Sequence, residues 1–268
     1  TNYFGLGVWQ APDQIVWATQ DTNAVFRLDR ANLSKFYTGD YVSFSTLWGS
    51  ASDDIWGFGY SHFLHFDGKV WSETKTLSSV EWTTRNSAWG SSARDIWVVG
   101  NKGVIDHWNG MVWEQITTSP TKNSLTGIWG SSASSVWAIG DAGTLLRWDG
   151  KVWVREPSTT LNTQADLKAI WGTGANDIWI VGSGGECLHN GGTGWVRVPT
   201  QTKETLHAIW GHEAGDVWAV GGQGTILHWD GRTWRSHDSG TDRSLLRVWN
   251  AHERTWVMAA EPALLSHG

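Results

Sequence analysis

The chain has 268 residues, 20 Lys and Arg against 26 Asp and Glu for a formal net charge of -6, and a hydrophobic fraction of 40%. That balance lacks the basic stripe of a nucleic-acid binder, the single Cys187 leaves no intramolecular disulfide, and no apolar run approaches a membrane-spanning helix. Gly is abundant at 32 and Pro scarce at 5, which suits short strands and tight turns, while 23 Trp supply large apolar surfaces for a core.

In chain order, tryptophans recur in pairs: Trp9/Trp17, Trp48/Trp56, Trp89/Trp97, Trp129/Trp137, Trp171/Trp179, Trp210/Trp218 and Trp249/Trp256. The first Trp of each pair follows the last by 39 to 42 residues, a period that signals a repeat array. The sixth repeat is the clearest. It breaks into four runs rich in β-branched and aromatic residues, A (206–210), B (217–221), C (225–229) and D (232–236), each bounded by Gly, Asp or Ser. Asp230-Gly231 between C and D predicts a two-residue hairpin, and Asp67-Gly68, Asn109-Gly110 and Asp149-Gly150 repeat it. On that turn Trp229 would pair with Arg232 and Leu227 with Trp234.

Four antiparallel strands in about forty residues, seven times over, predict an all-β, seven-bladed β-propeller forming a single domain over 1–268. A lone four-stranded sheet cannot bury both faces, so neighbouring blades must stack, and the A and B tryptophans supply the stacking surfaces. The last repeat stops after strand C, so either the seventh blade has three strands, or the chain was trimmed, or a partner supplies the edge. An unpaired edge invites association, and the expectation is a monomer or a dimer. With no initiator Met and no signal-like segment, the chain reads as a mature or trimmed product.

The phrases Trp48-Gly-Ser-Ala-Ser-Asp-Asp-Ile-Trp56, Trp89-Gly-Ser-Ser-Ala-Arg-Asp-Ile-Trp97 and Trp129-Gly-Ser-Ser-Ala-Ser-Ser-Val-Trp137, each followed by a Gly turn and a Trp-Asp-Gly-x-x-Trp hairpin or near variant, resemble the repeats of Trp-rich bacterial β-propellers. They are similar to Asp-box propellers and to seven-bladed Trp-rich lectins. The resemblance spans nearly the whole chain and implies the propeller fold; propellers host many activities, so function must be read from sites.

Three features stand outside the regular beat. Strand C ends in an aromatic in some repeats, at Trp108, Trp148 and Trp229, plates of the kind on which a pyranose stacks. A basic residue precedes that position in six repeats: Arg27, His65, His107, Arg147, His189 and His228. Such donors either take ligand hydroxyls and carboxylates or bond a neighbouring blade's backbone. Trp82, with Glu81 and Arg85, falls in an irregular loop that could cap one site. Asp54, Asp95, Asp177 and Asp216 precede strand B and read as turn residues accepting local backbone N–H groups.

No nucleophile elbow, phosphate loop or His/Cys metal spacing is present, and His62 and His65, three apart in a strand, point to opposite faces. The expectation is therefore a non-catalytic, multivalent carbohydrate-binding protein with shallow sites between blades, needing no cofactor or metal and located extracellularly, at the cell surface or in the periplasm. Its partners would be glycans met with avidity, without nucleic acid or membrane insertion. The alternative is a protein-interaction scaffold that holds a protein or peptide.

Overall fold

The computed structural model describes residues 7–20, 24–29, 32–37, 44–60, 62–74, 83–157, 161, 163–251, 254–260 and 264–267. Contacts divide the chain into two compact units, Thr1–Ile128 and Trp129–Gly268. Among the described residues the strands form six four-stranded sheets and one three-stranded sheet, each an antiparallel meander in chain order. The fold is all-β, and the seven sheets are the blades of a seven-bladed β-propeller.

Blade 1 holds β1 (Val8–Gln10), β2 (Val16–Gln20), β3 (Ala24–Asp29) and β4 (Asn32–Tyr37); blade 2 holds β5 (Phe44–Ala51), β6 (Asp54–Gly59), β7 (Phe63–Phe66) and β8 (Trp71–Thr74). Blade 3 holds β9 (Arg85–Ser92), β10 (Asp95–Gly100), β11 (Ile105–Trp108) and β12 (Trp113–Gln115). Blade 4 follows with β13 (Leu125–Ser132), β14 (Ser135–Gly140), β15 (Thr144–Trp148) and β16 (Trp153–Arg155). Blade 5 is β17 (Leu167–Gly174), β18 (Asp177–Gly182), β19 (Cys187–Asn190) and β20 (Trp195–Arg197). Blade 6 is β21 (Leu206–Glu213), β22 (Asp216–Gly221), β23 (Ile226–Trp229) and β24 (Trp234–His237). Blade 7 has three strands, β25 (Leu245–Ala251), β26 (Arg254–Ala259) and β27 (Leu264–His267).

In blades 2 to 6 the second strand is an apolar run rather than an alternation, because sheet covers it on both faces. In Asp95–Gly100 every residue after the first is buried. Its Trp lies directly opposite the first-strand Trp, as Trp97 does Trp89 and Trp218 does Trp210. The first strands run on through the Trp-Gly dipeptide to a bulge and end three residues beyond the sequence-predicted boundary, at Glu213 in blade 6.

The hairpin between the third and fourth strands departs from the two-residue turn. The partners are Phe66↔Trp71, Trp108↔Trp113, Trp148↔Trp153 and Trp229↔Trp234, which leaves four residues in each loop. Leu227 consequently faces Ser236, not Trp234. The cause is the acidic or amide side chain at the loop's start. Asp230 Oδ1 accepts the backbone N–H groups of Arg232 (3.0 Å) and Thr233 (2.8 Å), and the Asp230 N–H donates to the Thr233 carbonyl at 3.3 Å, so side chain and backbone close the turn together. Gly231 then takes φ +86°, the left-handed conformation open to glycine. Asp67, Asn109 and Asp149 do the same work in blades 2, 3 and 4. These N–H groups hold the Asp67, Asp149 and Asp230 carboxyls below the usual carboxylate range.

The core lies between successive blades. In the first unit Trp17, Val25, Leu47, Ile55 and Phe66 form one cluster and Trp48, Trp56, Phe58, Ile96 and Trp113 another. In the second unit Trp137, Ile139, Leu167 and Leu188 join blades 4 and 5, Trp179, Val181, Leu206 and Trp234 join blades 5 and 6, and Val220, Ile226, Leu245 and Val257 join blades 6 and 7. The Gly after the first-strand Trp in blades 2, 3, 5 and 6 has a packing cause. A Cβ on Gly211 would meet the Trp171 ring at 2.5 Å, and Gly49, Gly90 and Gly172 are pressed in the same way by Trp9, Trp48 and Trp129 of the blade before.

Gly211→Ala should therefore lower stability by about 1–3 kcal/mol through overpacking. Gly174→Ala, at a position with nothing within 4 Å, should change it by less than about 0.5 kcal/mol in the same urea melt.

Candidate functional site

The basic residues of the third strands are where chemistry was expected, and four of them are already engaged within their own blades. His65, His107, His189 and His228 each lie directly across from the second-strand Trp of the same sheet. Their imidazoles stack on Trp56, Trp97, Trp179 and Trp218 with ring centroids 4.4, 3.9, 4.0 and 4.2 Å apart. Each Nε2 meets the Oδ1 of an aspartate at the start of the second strand: His65 with Asp54 at 2.5 Å, His107 with Asp95 at 2.7 Å, His189 with Asp177 at 2.8 Å and His228 with Asp216 at 2.7 Å.

The other carboxylate oxygen accepts a hydroxyl from the end of the first strand. Ser50 donates to Asp54, Ser91 to Asp95 and Thr173 to Asp177. The Trp179 and Trp218 indoles donate to Asp177 and Asp216 at 3.0 Å. These aspartates thus take side-chain partners of their own blade instead of capping turn N–H groups, and each histidine's Nε2 is held by an aspartate of its own blade instead of a neighbouring blade's backbone. Together they fasten three strands of one blade. Burial alone would push the Asp54 and Asp95 carboxyls up; hydrogen bonds from His65 and Ser50, and from His107 and Ser91, outweigh it and leave both below the ordinary value.

A sequence signal for this arrangement exists. The four repeats with His in the third strand are the four with Asp two residues before the second-strand Trp. Where Arg147 replaces His, Ser135 replaces Asp, and where Arg27 stands, the position holds Ile15. Arg147 instead pairs with Glu156 (3.3 Å) with its guanidinium 5.9 Å from the Trp137 ring, and Arg27 pairs with Asp29 at 3.5 Å.

The third-strand aromatics are half-buried. Trp108 lies 5.1 Å from Trp56 of the preceding blade and Trp229 lies 5.1 Å from Trp179, and each is also tilted against its own fourth-strand Trp. Trp148 is tilted against Trp153 at 5.8 Å. The Trp108 and Trp148 indole N–H groups donate to the carbonyls of Ala93 and Ala133 at 3.2 Å. Their plates are chiefly packing surface, with one part open to solvent.

Trp82 and Glu81 lie outside the described residues. Arg85 does not cap a site: its Nε donates to Asp106 Oδ2 at 3.0 Å, Nη1 donates to the Tyr60 and Thr83 carbonyls, and its guanidinium lies over Phe63 at 5.2 Å. Both partners of this ion pair are 4% exposed, and burial raises the Asp106 carboxyl against the pull of Arg85. Cys187 is buried, which pushes its thiol up to about 12 and makes it unreactive. His62 pairs with Glu73 at 2.7 Å, apart from the His65–Asp54 pair. Among the described residues no three His, Cys, Asp or Glu side chains are placed to hold a metal ion, and no helix is long and apolar enough to cross a membrane.

Among the exposed residues, large hydrophobics recur beside the fourth-strand Trp. Val70, Val112 and Val152 precede the fourth-strand Trp, Val154 and Val196 follow it, and Met111 stands 81% exposed at a hairpin tip. Side chains alternate along a strand, so the Trp turns to the neighbouring blade and the Val turns outward.

No family model and no curated protein matches the chain. Solved structures do match in fold. The chain is similar to YCF48 from Cyanidioschyzon merolae (TM-score 0.74, 17% identity, covering 98% of this chain and 95% of that one). It is similar to a chain of the structure titled Mitotic Checkpoint Complex (TM-score 0.78, 14% identity, 99% and 87%). It also resembles the extracellular domain of the putative hybrid two component system BT3049 from B. thetaiotaomicron (TM-score 0.76, 12% identity, 97% and 38%). At these identities the likeness establishes the β-propeller fold.

The Asp95 carboxylate gains its hydrogen bonds only when folded, so its contribution is complete above the unfolded pKa and lost as pH falls through the lower folded one. Replacing it by Asn should cost about 1 kcal/mol from neutral pH down to about pH 5, with the difference from wild type shrinking below about pH 4. Urea melts across that range check the sign.

Proposed function

We propose that this chain is a non-catalytic recognition scaffold whose partner is a protein. The observation that carries the proposal is the exposed apolar series in the hairpins just before the fourth strands and at the start of those strands. These strands end their sheets, so each offers a row of backbone groups beside β-branched side chains, the combination that accepts another chain by strand addition or flat packing. In the second unit, Val152 and Val154 are 55% and 47% exposed on either side of the buried Trp153.

The commitment of the His, Asp and Ser/Thr groups to blade cohesion supports a binding role over acid–base catalysis, since each imidazole already has a carboxylate and an indole. A propeller of similar fold belongs to a structure titled as a multi-protein complex, which supports a protein partner, and another is an extracellular domain, which supports the extracellular or cell-surface location expected from the sequence.

A second reading, multivalent carbohydrate binding, is favoured by the part-open faces of Trp108, Trp148 and Trp229. It loses the donors it was given, because His65, His107, His189 and His228 are stacked and paired. Hydroxyl recognition would fall to the loops around those indoles.

Two measurements separate the readings. Val152→Glu with Val154→Glu should leave the melting temperature near wild type and weaken stoichiometric partner binding about tenfold or more. A glycan array with monosaccharide calorimetry should stay at background. Sugar binding that Trp148→Ala removes would replace the protein-partner reading with the lectin one.

A further inference from the structure

Blade 3 closes its outer hairpin with an amide where three other blades use a carboxylate. The loop begins with Asp67-Gly68, Asp149-Gly150 and Asp230-Gly231 in blades 2, 4 and 6, and with Asn109-Gly110 in blade 3. The four turns are otherwise alike. In each, Oδ1 of the first residue accepts the N–H groups two and three residues on, at 2.8–3.0 Å. The glycine in each takes a φ between +86° and +94°.

An asparagine followed by glycine is the dipeptide in which a backbone nitrogen most readily attacks a side-chain amide, because glycine has no side chain to hinder the approach. The surroundings of the Asn109 amide favour that attack further. The Met111 and Val112 N–H groups both donate to Asn109 Oδ1 at 3.0 Å. This oxygen becomes the oxyanion when a nucleophile adds to Cγ, so the two N–H groups form an oxyanion hole that the turn fixes before any reaction begins. On the other side, Nδ2 donates to Glu114 Oε1 at 3.2 Å. Glu114 follows the fourth-strand Trp; its counterpart in blade 6 is Arg235, which pairs with the Asp230 carboxylate at 2.8 Å. Blade 3 thus sets a carboxylate able to pass a proton against the nitrogen that would have to leave. Asn109, Met111, Val112 and Glu114 are all exposed, so water reaches the group.

We propose that Asn109 is a self-modifying site, at which the turn converts its own amide to a carboxylate. The Gly110 nitrogen gives its proton to water and bonds to Asn109 Cγ, and negative charge gathers on Oδ1 under the two N–H groups. The Cγ–Nδ2 bond then breaks, and Glu114 relays a proton to the nitrogen, which leaves as ammonia. The same N–H groups polarise the Cγ carbonyl of the cyclic imide that remains, so water adds there. The bond from Cγ to the Gly110 nitrogen breaks, and the main chain is restored with aspartate at position 109. One water is consumed and one ammonia released, with no change of oxidation state. The product is the turn that blades 2, 4 and 6 already carry. It places a negative charge beside Met111 and Val112, so the apolar hairpin tip of blade 3 becomes charged with time.

The second Asn-Gly of the chain is the internal comparison. Asn190 is half-buried, its Oδ1 accepts the Gly192 N–H at 2.9 Å and the Gly194 N–H at 3.4 Å, and among the described residues no carboxylate accepts its Nδ2.

The full chain is incubated at neutral pH in water enriched in heavy oxygen and followed by peptide mass spectrometry, which reads ammonia loss and labelled oxygen at each asparagine. Asn109 should convert about tenfold or more faster than Asn190, and faster in the folded chain than in the same chain held in urea. Glu114→Gln should slow the folded reaction by about tenfold or more, with the melting temperature and the rate in urea unchanged. Asn109→Asp should melt like wild type. An Asn109 that converts no faster folded than unfolded, or no faster than Asn190, overturns the proposal, as does a Glu114→Gln chain that keeps the wild-type rate. A product whose main chain runs through Cγ, or an Asn109→Asp chain that melts lower, overturns the return to the turn of the other blades.

Discussion

The rest of the structure depends on one aromatic contact, the edge of a fourth-strand indole set against the second-strand indole of the preceding blade. Trp71 meets Trp17 at 76°, Trp113 meets Trp56 at 75°, Trp195 meets Trp137 at 83° and Trp234 meets Trp179 at 86°, with centroids 5.4–6.2 Å apart. Edge-to-face geometry of this kind contributes about 0.5–1.5 kcal/mol beyond the area each ring buries. It also fixes distance: an indole reaching one blade back leaves room for one sheet thickness and no more. The repeat length, the Trp at a set offset in the fourth strand and the glycine beneath the first-strand Trp of the preceding blade are all consequences of holding that spacing.

Once the blades are spaced, each must hold its own three inner strands in register, and a polar device does this where a purely apolar sheet would be free to slip. The Ser/Thr, Asp, His and Trp side chains come from the end of the first strand, the start of the second, the third and the middle of the second. A one-residue slip of any of these strands would break at least one hydrogen bond and the ring stack together, so the group specifies register more sharply than hydrophobic pattern alone. Because the group acts as a unit, losing His removes the reason for Asp. Blade 4 lacks both, and Arg147 spans the gap through Glu156 and the face of Trp137.

The strand count, the period and the paired tryptophans are legible in the sequence because burial on both faces forces apolar runs and the indoles mark them. The third-to-fourth-strand hairpin is not, since Asp-Gly suits a two-residue turn as well as a four-residue one closed by the aspartate side chain; only Oδ1 reaching two N–H groups decides between them. The histidines mislead because basic residues repeated at one position look like ligand donors until their carboxylates are found, and these lie in a different strand. The co-occurrence of His65, His107, His189 and His228 with Asp54, Asp95, Asp177 and Asp216 is the clue that the sequence does carry. Arg85 has no such clue: its partner Asp106 has no counterpart in the other repeats, so nothing periodic announces the buried pair.

An internal repeat supplies its own reference state, which turns departures into information. At the position where Ser45 and Asn86 fasten one blade to the next, blades 5 and 6 carry Lys168 and His207. At a position held elsewhere by Ala, Gly, Ser or Thr, Arg247 is half-buried, its proton affinity is lowered by burial, and its Nη1 donates to the Leu246 carbonyl. In the third strand the relation is reversed. There the basic side chain is the rule, its partners are in place, and its recurrence marks cohesion. Recurrence thus marks the third-strand histidines as groups that hold a blade together, while an exception to the repeat must be explained by its own surroundings.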